Sequence, residues 1–408
     1  MVISKAGRNL GHIISSALIF FYLSDAINKY FQVRSAAIND GETFKDSFSV
    51  SIFFRLAYEL IFLCLIFRFY DKQRKRGIEL IAAIFCCFLI GNLVFLLSYS
   101  SPEYSLTYHV TLLNKYIFVF VTFYAIKDIV DNPVMLNKIY SIFKKIYWVN
   151  STLIILGLIF NINLLKSYYN QEFRYGYNGL IPSVNEATLF YMIGISLFYF
   201  NYIRRKEDLF TLSLTIVSSL FIGAKAMYLF LFLLLGYHIL FKANYWQKVV
   251  SGAVVFSFFL VVIPILSDRK YSYLYEFLLF QYEKEGFLFT VTSGRSSFVI
   301  TKFLDNLNLW GPINYFFGGT DQLKFYIEMD FFDSFLLIGL IGTILLFKLY
   351  FNSIFRRINY KNFRFFFMCS FFLVSFMVGH FFASAVNALY LNIAMLFMYK
   401  YEDHSLSY

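Results

Sequence analysis

The sequence has little charge and few residues that break hydrophobic segments. Only 15% of its 408 residues are Asp, Glu, Lys or Arg, and five are proline. A soluble domain carries about 25% charged residues, so a large separate soluble domain is excluded. Hydrophobic residues make up 59% of the chain and aromatic residues 22%, and the mean hydropathy is +0.62. These values predict a polytopic integral membrane protein.

The motifs of many soluble enzymes are also missing. The chain has no P-loop, no His-Glu-x-x-His, no Gly-x-Ser-x-Gly and no Cys/His spacing typical of zinc. Its four cysteines, Cys64, Cys86, Cys87 and Cys369, lie in apolar runs. We predict that they are small hydrophobic residues of the core. No metal and no cofactor is expected.

Apolar segments of membrane-spanning length recur along the chain. A spanning helix needs about 20 mainly apolar residues. Lys5 and Arg8 precede the first such segment, and no small-residue cleavage site follows it, so we predict a retained span. Two pairs of spans are joined by tight turns, at 223–225 and 379–384. The twelve candidate spans lie at 11–27, 48–67, 78–98, 110–130, 146–163, 186–203, 208–223, 225–241, 249–266, 332–350, 365–381 and 382–399.

The basic residues predict an orientation. With the N-terminus inside, the cytoplasmic connections hold most of the 36 lysines and arginines, including those of 68–77, 202–208 and 348–364. This asymmetry follows the positive-inside rule and predicts that both termini are cytoplasmic. The net charge of +11 is then a topology signal, and nucleic acid is not an expected partner.

Irregular sequence falls on the predicted external side of the single transmembrane domain 1–408. Its largest piece is a loop, 267–331, between the ninth and tenth spans, with two amphipathic stretches at 271–285 and 290–311. Apolar residues recur at helical spacing in the second stretch. Such helices lie on the membrane surface or roof a cavity between spans. A second external segment, 164–187, is rich in Tyr, Asn and Gly and is predicted to be an ordered polar loop.

Two cations of this face are candidate anion ligands. Arg295 lies between hydroxyl residues at the predicted start of a helix, where backbone N–H groups and a guanidinium suit a phosphate or diphosphate. The alternative is an ion pair with Glu283 or Glu285. Lys225 occupies a very short turn between two spans. It is either a second cation for the same anion or an interfacial flank.

Further polar residues share this face. His380, at the end of the eleventh span, is either a core residue or a phosphate contact and proton carrier. Glu186 opens the sixth span, as a helix cap or as a base directed at a hydroxyl. Asn185 and Arg174 lie in the loop before it.

One charged pair is predicted within a span. Arg55 and Glu59 are four residues apart in the second span. Side chains at this spacing meet on one helix face, and an ion pair lowers the cost of charge in the membrane. We predict a structural pair with each other.

The chain resembles the superfamily of O-antigen polymerases and O-antigen ligases. The resemblance covers roughly residues 170 to 400 and consists of about twelve spans, a large external loop before the tenth span, and short motifs in a fixed order. The motifs lie at 179–190, 218–232, 292–298, 314–320 and 329–346. Where members of the family often have Ser-Arg, this chain has Ala224-Lys225, which keeps the charge and loses the bidentate fork.

The resemblance implies an all-α, GT-C-like fold of about 12 transmembrane helices with a large periplasmic loop. It implies a metal-independent glycosyltransferase of the bacterial inner membrane, acting on its periplasmic face. Donor and acceptor are oligosaccharides on undecaprenyl diphosphate, and a chain-length regulator is a further candidate partner. Arg295 and Lys225 would bind the diphosphate with His380 beside them, and Glu186, Arg174 and Asn185 would face the acceptor glycan.

Three functions remain open at this point. A polymerase would add the growing glycan to the next lipid-linked repeat unit, and we favour it. A ligase would transfer the finished polymer to lipid A–core. A lipid-linked oligosaccharide flippase or transporter belongs to another class; the long external loop and the clustering of ionisable groups on one face argue against it.

Overall fold

Helices form nearly all of the structure. The computed structural model describes residues 5–38, 50–99, 104–168, 175–244, 282–284, 286–287, 289–290, 292 and 294–403. It is 84% helical and contains no strand in its described part. The predicted all-α class is confirmed.

The helices are numbered here in chain order, as they occur among the described residues. They are α1 Lys5–Ile38, α2 Val50–Arg68, α3 Lys72–Ser98, α4 Leu106–Ile126, α5 Pro133–Phe160, α6 Val184–Arg205, α7 Leu209–Leu220, α8 Lys225–Phe241, α9 Arg295–Phe298, α10 Leu304–Asn308, α11 Pro312–Phe317, α12 Gln322–Phe325, α13 Asp330–Leu349, α14 Lys361–Met377 and α15 Ala385–Asp403. A π-helical turn, Val299–Phe303, joins α9 to α10.

Six of the described helices are long and apolar enough to cross a membrane, and α7 and α8 are shorter apolar helices. The chain is therefore an all-α membrane protein. Each predicted span overlaps one of the helices, except 249–266, which lies outside the described residues. The stretch 271–285 also lies largely outside them. Both predicted tight turns are confirmed, because α7 and α8, and likewise α14 and α15, are separated by a few residues.

The helices run between two ends of the bundle, which we name the His380 end and the Arg357 end. The His380 end holds linkers 175–183, 318–329 and 378–384, and the Arg357 end holds linkers 127–132 and 355–360. Long-range hydrogen bonds hold each end together. At the His380 end, for example, the side chain of Asn387 donates to the Glu186 carbonyl, and the Gln322 amide donates to His109.

Three glycines bring the linker after α11 between α3 and α13. A Cβ at Gly91 of α3 would lie 2.2 Å from the carbonyl oxygen of Phe317. A Cβ at Gly318 would lie 2.5 Å from the amide nitrogen of Gly339, and both glycines have positive φ, 81° and 66°. Because glycine lacks a Cβ, backbones can approach this closely. The crossing fixes the start of the linker 318–329, which contributes to the candidate site.

The amphipathic stretch that begins at Arg295 packs onto the protein. Its apolar residues contact a small core at the His380 end, separate from the main core. The core is formed by Phe95, Trp310, Ile327, Met329 and Leu336, and Phe298, Phe303 and Leu307 pack against it. Arg295 and Phe298 line a cavity. Of the two predicted placements, the structure therefore favours the roof of a cavity.

The prediction that Arg55 pairs with Glu59 is wrong. The Arg55 guanidinium instead pairs with Asp25 of α1, which also accepts a hydrogen bond from Ser51. Glu59 accepts from the side chain of Asn114 on α4, at 2.9 Å. Packing of α2 between α1 and α4 offers each group a partner on another helix, which sequence spacing does not show.

The cysteine prediction holds in one of four positions. Cys87 is buried, whereas Cys64, Cys86 and Cys369 are exposed on the outer faces of their helices. An apolar residue of a membrane helix can face lipid as readily as the protein core. Apolar sequence surroundings therefore do not identify the core here.

Candidate functional site

Two neighbouring cavities lie at the His380 end. One, of about 260 Å³, is lined by Arg295, Lys225, Asn185 and Glu328 among others. The other, of about 300 Å³, is lined by groups that include His380, Tyr326, Glu186, Arg55 and Lys115. Consecutive residues of the first turn of α6, Asn185 and Glu186, each line a different cavity. We call them the Arg295 cavity and the His380 cavity.

The Arg295 side chain is mostly buried and only partly satisfied. Its Nη2 donates to a carboxylate oxygen of Glu328 at 3.1 Å, and Nη1 donates to the carbonyl of Thr292 at 3.3 Å. The buried Nε has no hydrogen-bond partner in the described part of the chain. Buried guanidinium donors are normally paired. Among the described carboxylates, Arg295 pairs with Glu328 and not with Glu283; the other predicted partner, Glu285, lies outside the described residues.

A helix begins at Arg295, as predicted, but its first turn is not an open anion cradle. Gly294, with φ of 88°, precedes it and provides no side-chain cap. The Thr292 hydroxyl accepts from the Ser296 amide at 3.1 Å, and the Gly294 carbonyl accepts from the Ser297 amide. Since these N–H groups are engaged, the guanidinium is the group of this segment that remains a candidate for binding an anion.

Lys225 lines the same cavity. It is the first residue of α8, and its Nζ donates to the carbonyl of Thr290 at 2.5 Å. The side chain is exposed. Lys225 thereby links the turn before α8 to the segment before Arg295 and supplies a second positive charge to the Arg295 cavity.

His380 and Tyr326 both line the His380 cavity, and their side chains are in contact. The Nδ1 of His380 lies 3.1 Å from the Tyr326 hydroxyl. Burial lowers the pKa of His380 below its usual 6.5, with Glu328 opposing and Lys115 and Arg295 adding to the decrease. Burial and nearby carboxylates raise the pKa of Tyr326. The phenol therefore keeps its proton; where it donates to Nδ1, the neutral imidazole carries its proton on Nε2.

Two aspartates of α13, which the sequence analysis did not single out, hold the linkers in place. Asp330 accepts hydrogen bonds from the amides of His380, Phe381 and Phe382, at 2.8, 2.6 and 3.0 Å. Asp333 accepts from the amides on either side of Glu328, at 2.9 Å each. Both carboxylates are almost completely buried. One helix terminus thus positions both segments that carry the His380, Tyr326 and Glu328 side chains.

The same segments contain unusual backbone. His380 and Glu328 have φ of 77° and 63°, a region that residues other than glycine seldom adopt. A Cβ at Gly379 would lie 2.6 Å from the Glu328 carbonyl oxygen, so the two linkers touch. Such conformations cost about 1–3 kcal/mol each and persist where surrounding contacts over-determine them. The aspartate hydrogen bonds are those contacts.

Glu186 is not itself the helix cap. Ser183 is the cap of α6, and its hydroxyl accepts from the Glu186 amide at 3.3 Å. The Glu186 side chain lies in the first turn and lines the His380 cavity with Arg55 and Lys115. The choice between a carboxylate that interacts with the helix dipole and a base directed at a hydroxyl therefore stays a prediction.

The structure brings five of the six predicted site residues together. Arg295, Lys225 and Asn185 line one cavity, and His380 and Glu186 line its neighbour. Arg174 lies outside the described residues. Glu328 and Tyr326 were missed. The sequence feature that could have indicated this segment is its three acidic residues, Glu328, Asp330 and Asp333. The start of an ordinary membrane span contains fewer.

Comparison with known proteins gives no match to a family model, a curated protein or a solved structure. The assignment of a function therefore depends on the geometry of the two cavities and on the motif resemblance.

Proposed function

We propose that this protein is a polysaccharide polymerase of the bacterial inner membrane, with its active site on the periplasmic face. It would transfer the growing glycan from undecaprenyl diphosphate to the next lipid-linked repeat unit. The observation that carries the proposal is the convergence of Arg295 and Lys225 on one cavity beside the His380 cavity. Two cations suit a diphosphate, and the helical membrane bundle suits its lipid.

In this proposal the donor diphosphate occupies the Arg295 cavity. A hydroxyl oxygen of the acceptor sugar attacks C1 of the donor sugar, and the bond from C1 to the phosphate oxygen breaks. Negative charge develops on the leaving diphosphate, where Arg295 and Lys225 stabilise it. The apolar wall of this cavity, formed by Leu229, Phe298 and Met377 with others, suits the first prenyl unit of the lipid.

The acceptor sugar would occupy the His380 cavity. The Glu186 carboxylate lines that cavity and would take the proton of the attacking hydroxyl. His380 has its Nδ1 engaged by Tyr326, so it would act through Nε2–H as a hydrogen-bond donor to a phosphate oxygen. The His380 geometry thus favours a phosphate contact over a proton carrier.

A reconstituted assay tests the function. Purified protein in lipid vesicles is given the lipid-linked repeat unit of its own organism, and products are resolved by size. A ladder of repeats supports the polymerase. Transfer of preformed polymer to lipid A–core, without a ladder, would replace it by the ligase. Movement of labelled lipid-linked glycan across the membrane, without any new bond, would replace both by a transporter.

The pH profile of a His380→Gln variant is expected to differ from that of the wild type on the acid side. Wild-type polymer formation should fall as the pH drops below about 6.5, the usual histidine value, because protonated His380 cannot accept a hydrogen bond from Tyr326. The lowered pKa places this loss below the usual histidine value. Glutamine keeps an acceptor oxygen and does not titrate, so the variant should be slower, and its activity should fall less steeply with decreasing pH than that of the wild type. Equal acid slopes in both proteins would contradict this role.

A further inference from the structure

The largest cavity described lies at the Arg357 end, away from the candidate active site. Its volume is about 710 Å³. Four cations line it, Arg76 of α3, Lys348 of α13, and Arg356 and Arg357 after α13, together with a single acidic residue, Glu79. Ligand cavities span about 300–1,000 Å³. Its size and charge suit a phosphate-bearing group.

These cations lack carboxylate partners among the residues that the structure describes. In the described part of the chain, none of the four forms an ion pair. Two neighbours at the same end show the contrast. Arg74 pairs with Asp71 and Asp128, and Lys127 pairs with Asp71. Arg74 and Lys127 thus have carboxylate partners, whereas Glu79 is the one acidic residue among the described residues that line the cavity with its four cations.

One cation is fixed in position by aromatic rings. The Arg357 guanidinium lies 5.5 Å from the Phe123 ring centre and 5.3 Å from that of Tyr399. Contacts of this kind hold a guanidinium without removing its hydrogen-bond donors. Arg357 is only partly exposed. It is therefore pre-positioned at the cavity wall.

An apolar surface continues from the cavity along α13. Ile344 and Ile341 lie four and seven residues before Lys348, on the same helix face, and are 56% and 38% exposed. Leu80 adds an apolar contact on α3. A soluble anion would use only the cations, whereas a phospholipid would place its phosphate on them and its acyl chains along this face.

We propose that the cavity between α3 and the end of α13 binds the phosphate headgroup of an anionic glycerophospholipid. Arg76, Lys348, Arg356 and Arg357 hold the phosphate, and the Ile341–Ile344 face receives an acyl chain. Basic residues at the predicted cytoplasmic membrane surface attract anionic lipids, at about 1 kcal/mol per Lys or Arg. The site is independent of the proposed polymerase.

The test compares thermal unfolding in two kinds of nanodisc, of phosphatidylcholine alone and of phosphatidylcholine mixed with phosphatidylglycerol. The wild type should unfold at a higher temperature in the mixed discs. The double variant Arg76→Gln/Arg356→Gln should lose at least half of that increase. Lys348→Gln, a single change, should lose part of it and serves if the double variant does not fold. The matched control is Lys72→Gln/Lys75→Gln, which removes the same charge from exposed positions of α3 outside the cavity and should keep the increase.

Two outcomes would overturn the lipid site. An equal loss in the control pair would mean that only the overall charge of this end matters. An increase produced by inorganic diphosphate in phosphatidylcholine discs, as large as that from phosphatidylglycerol, would mean that the ligand is a soluble phosphate. No effect of diphosphate, with the loss confined to the cavity variants, supports the proposal.

Discussion

Arg295→Ala is expected to lower polymer formation by about a hundredfold or more, while the protein still inserts and folds. Removing one preorganised donor from a site where negative charge develops costs about 10²–10³ in rate. Arg295 lines the Arg295 cavity, and its buried Nε has no hydrogen-bond partner in the described part of the chain. The measurement is the amount and length of polymer made by purified variant, with its thermal unfolding recorded in parallel.

Two variants make the Arg295 result specific. Arg295→Lys keeps the charge and loses the fork, so it should recover only part of the activity. Lys324→Ala removes a cation from the same predicted loop; its Nζ donates to the Tyr99 hydroxyl and it lines neither cavity, so it should have wild-type activity. Near-normal polymer from Arg295→Ala would remove the residue from the proposed site.

Asp330→Ala is expected to release the linker that carries His380 and to abolish activity. The substitution leaves three buried backbone amides without their acceptor. Each unsatisfied group costs about 1–3 kcal/mol, and the left-handed backbone at His380 would lose its support. Hydrogen exchange of the amides of 380–382 is the direct readout, and it should accelerate in the variant.

The control for this prediction is Asp305→Ala, which removes an exposed aspartate of α10 and should leave exchange at 380–382 unchanged. Asp330→Asn keeps one acceptor oxygen and should give intermediate protection. If exchange at these amides were the same in Asp330→Ala and the wild type, Asp330 would not be what holds the linker.

Much of the fold could be predicted from local sequence. Apolar runs located the helices and the short turns, and helical spacing located the start of α9 at Arg295, because these features depend on neighbouring residues. The face shared by Arg295, Lys225 and His380 followed from counting spans and charges. The cavities that they line agree with that grouping.

Contacts between distant residues could not be predicted in this way. Glu328 as the partner of Arg295, and Asp25 as the partner of Arg55, depend on how helices pack. Asp330 accepts hydrogen bonds from backbone amides that lie 50, 51 and 52 positions further along the chain, so neighbouring residues do not reveal its role. Hydropathy and periodicity contain no information on which carboxylate meets which donor, so the positioning groups of the site had to come from the structure.

The close glycine crossing also sets an order for biosynthesis. Gly91 is made early, and the backbone that packs on it, at residues 317–319, is made more than two hundred residues later. Gly339, which closes the crossing from the other side, follows still later. Before those later residues are made, the backbone segments that pack closely on Gly91 are missing from the chain. The glycine crossing, and with it the start of the linker 318–329 at the His380 end, can therefore form only after Gly339 has been made, late in the synthesis of each new chain.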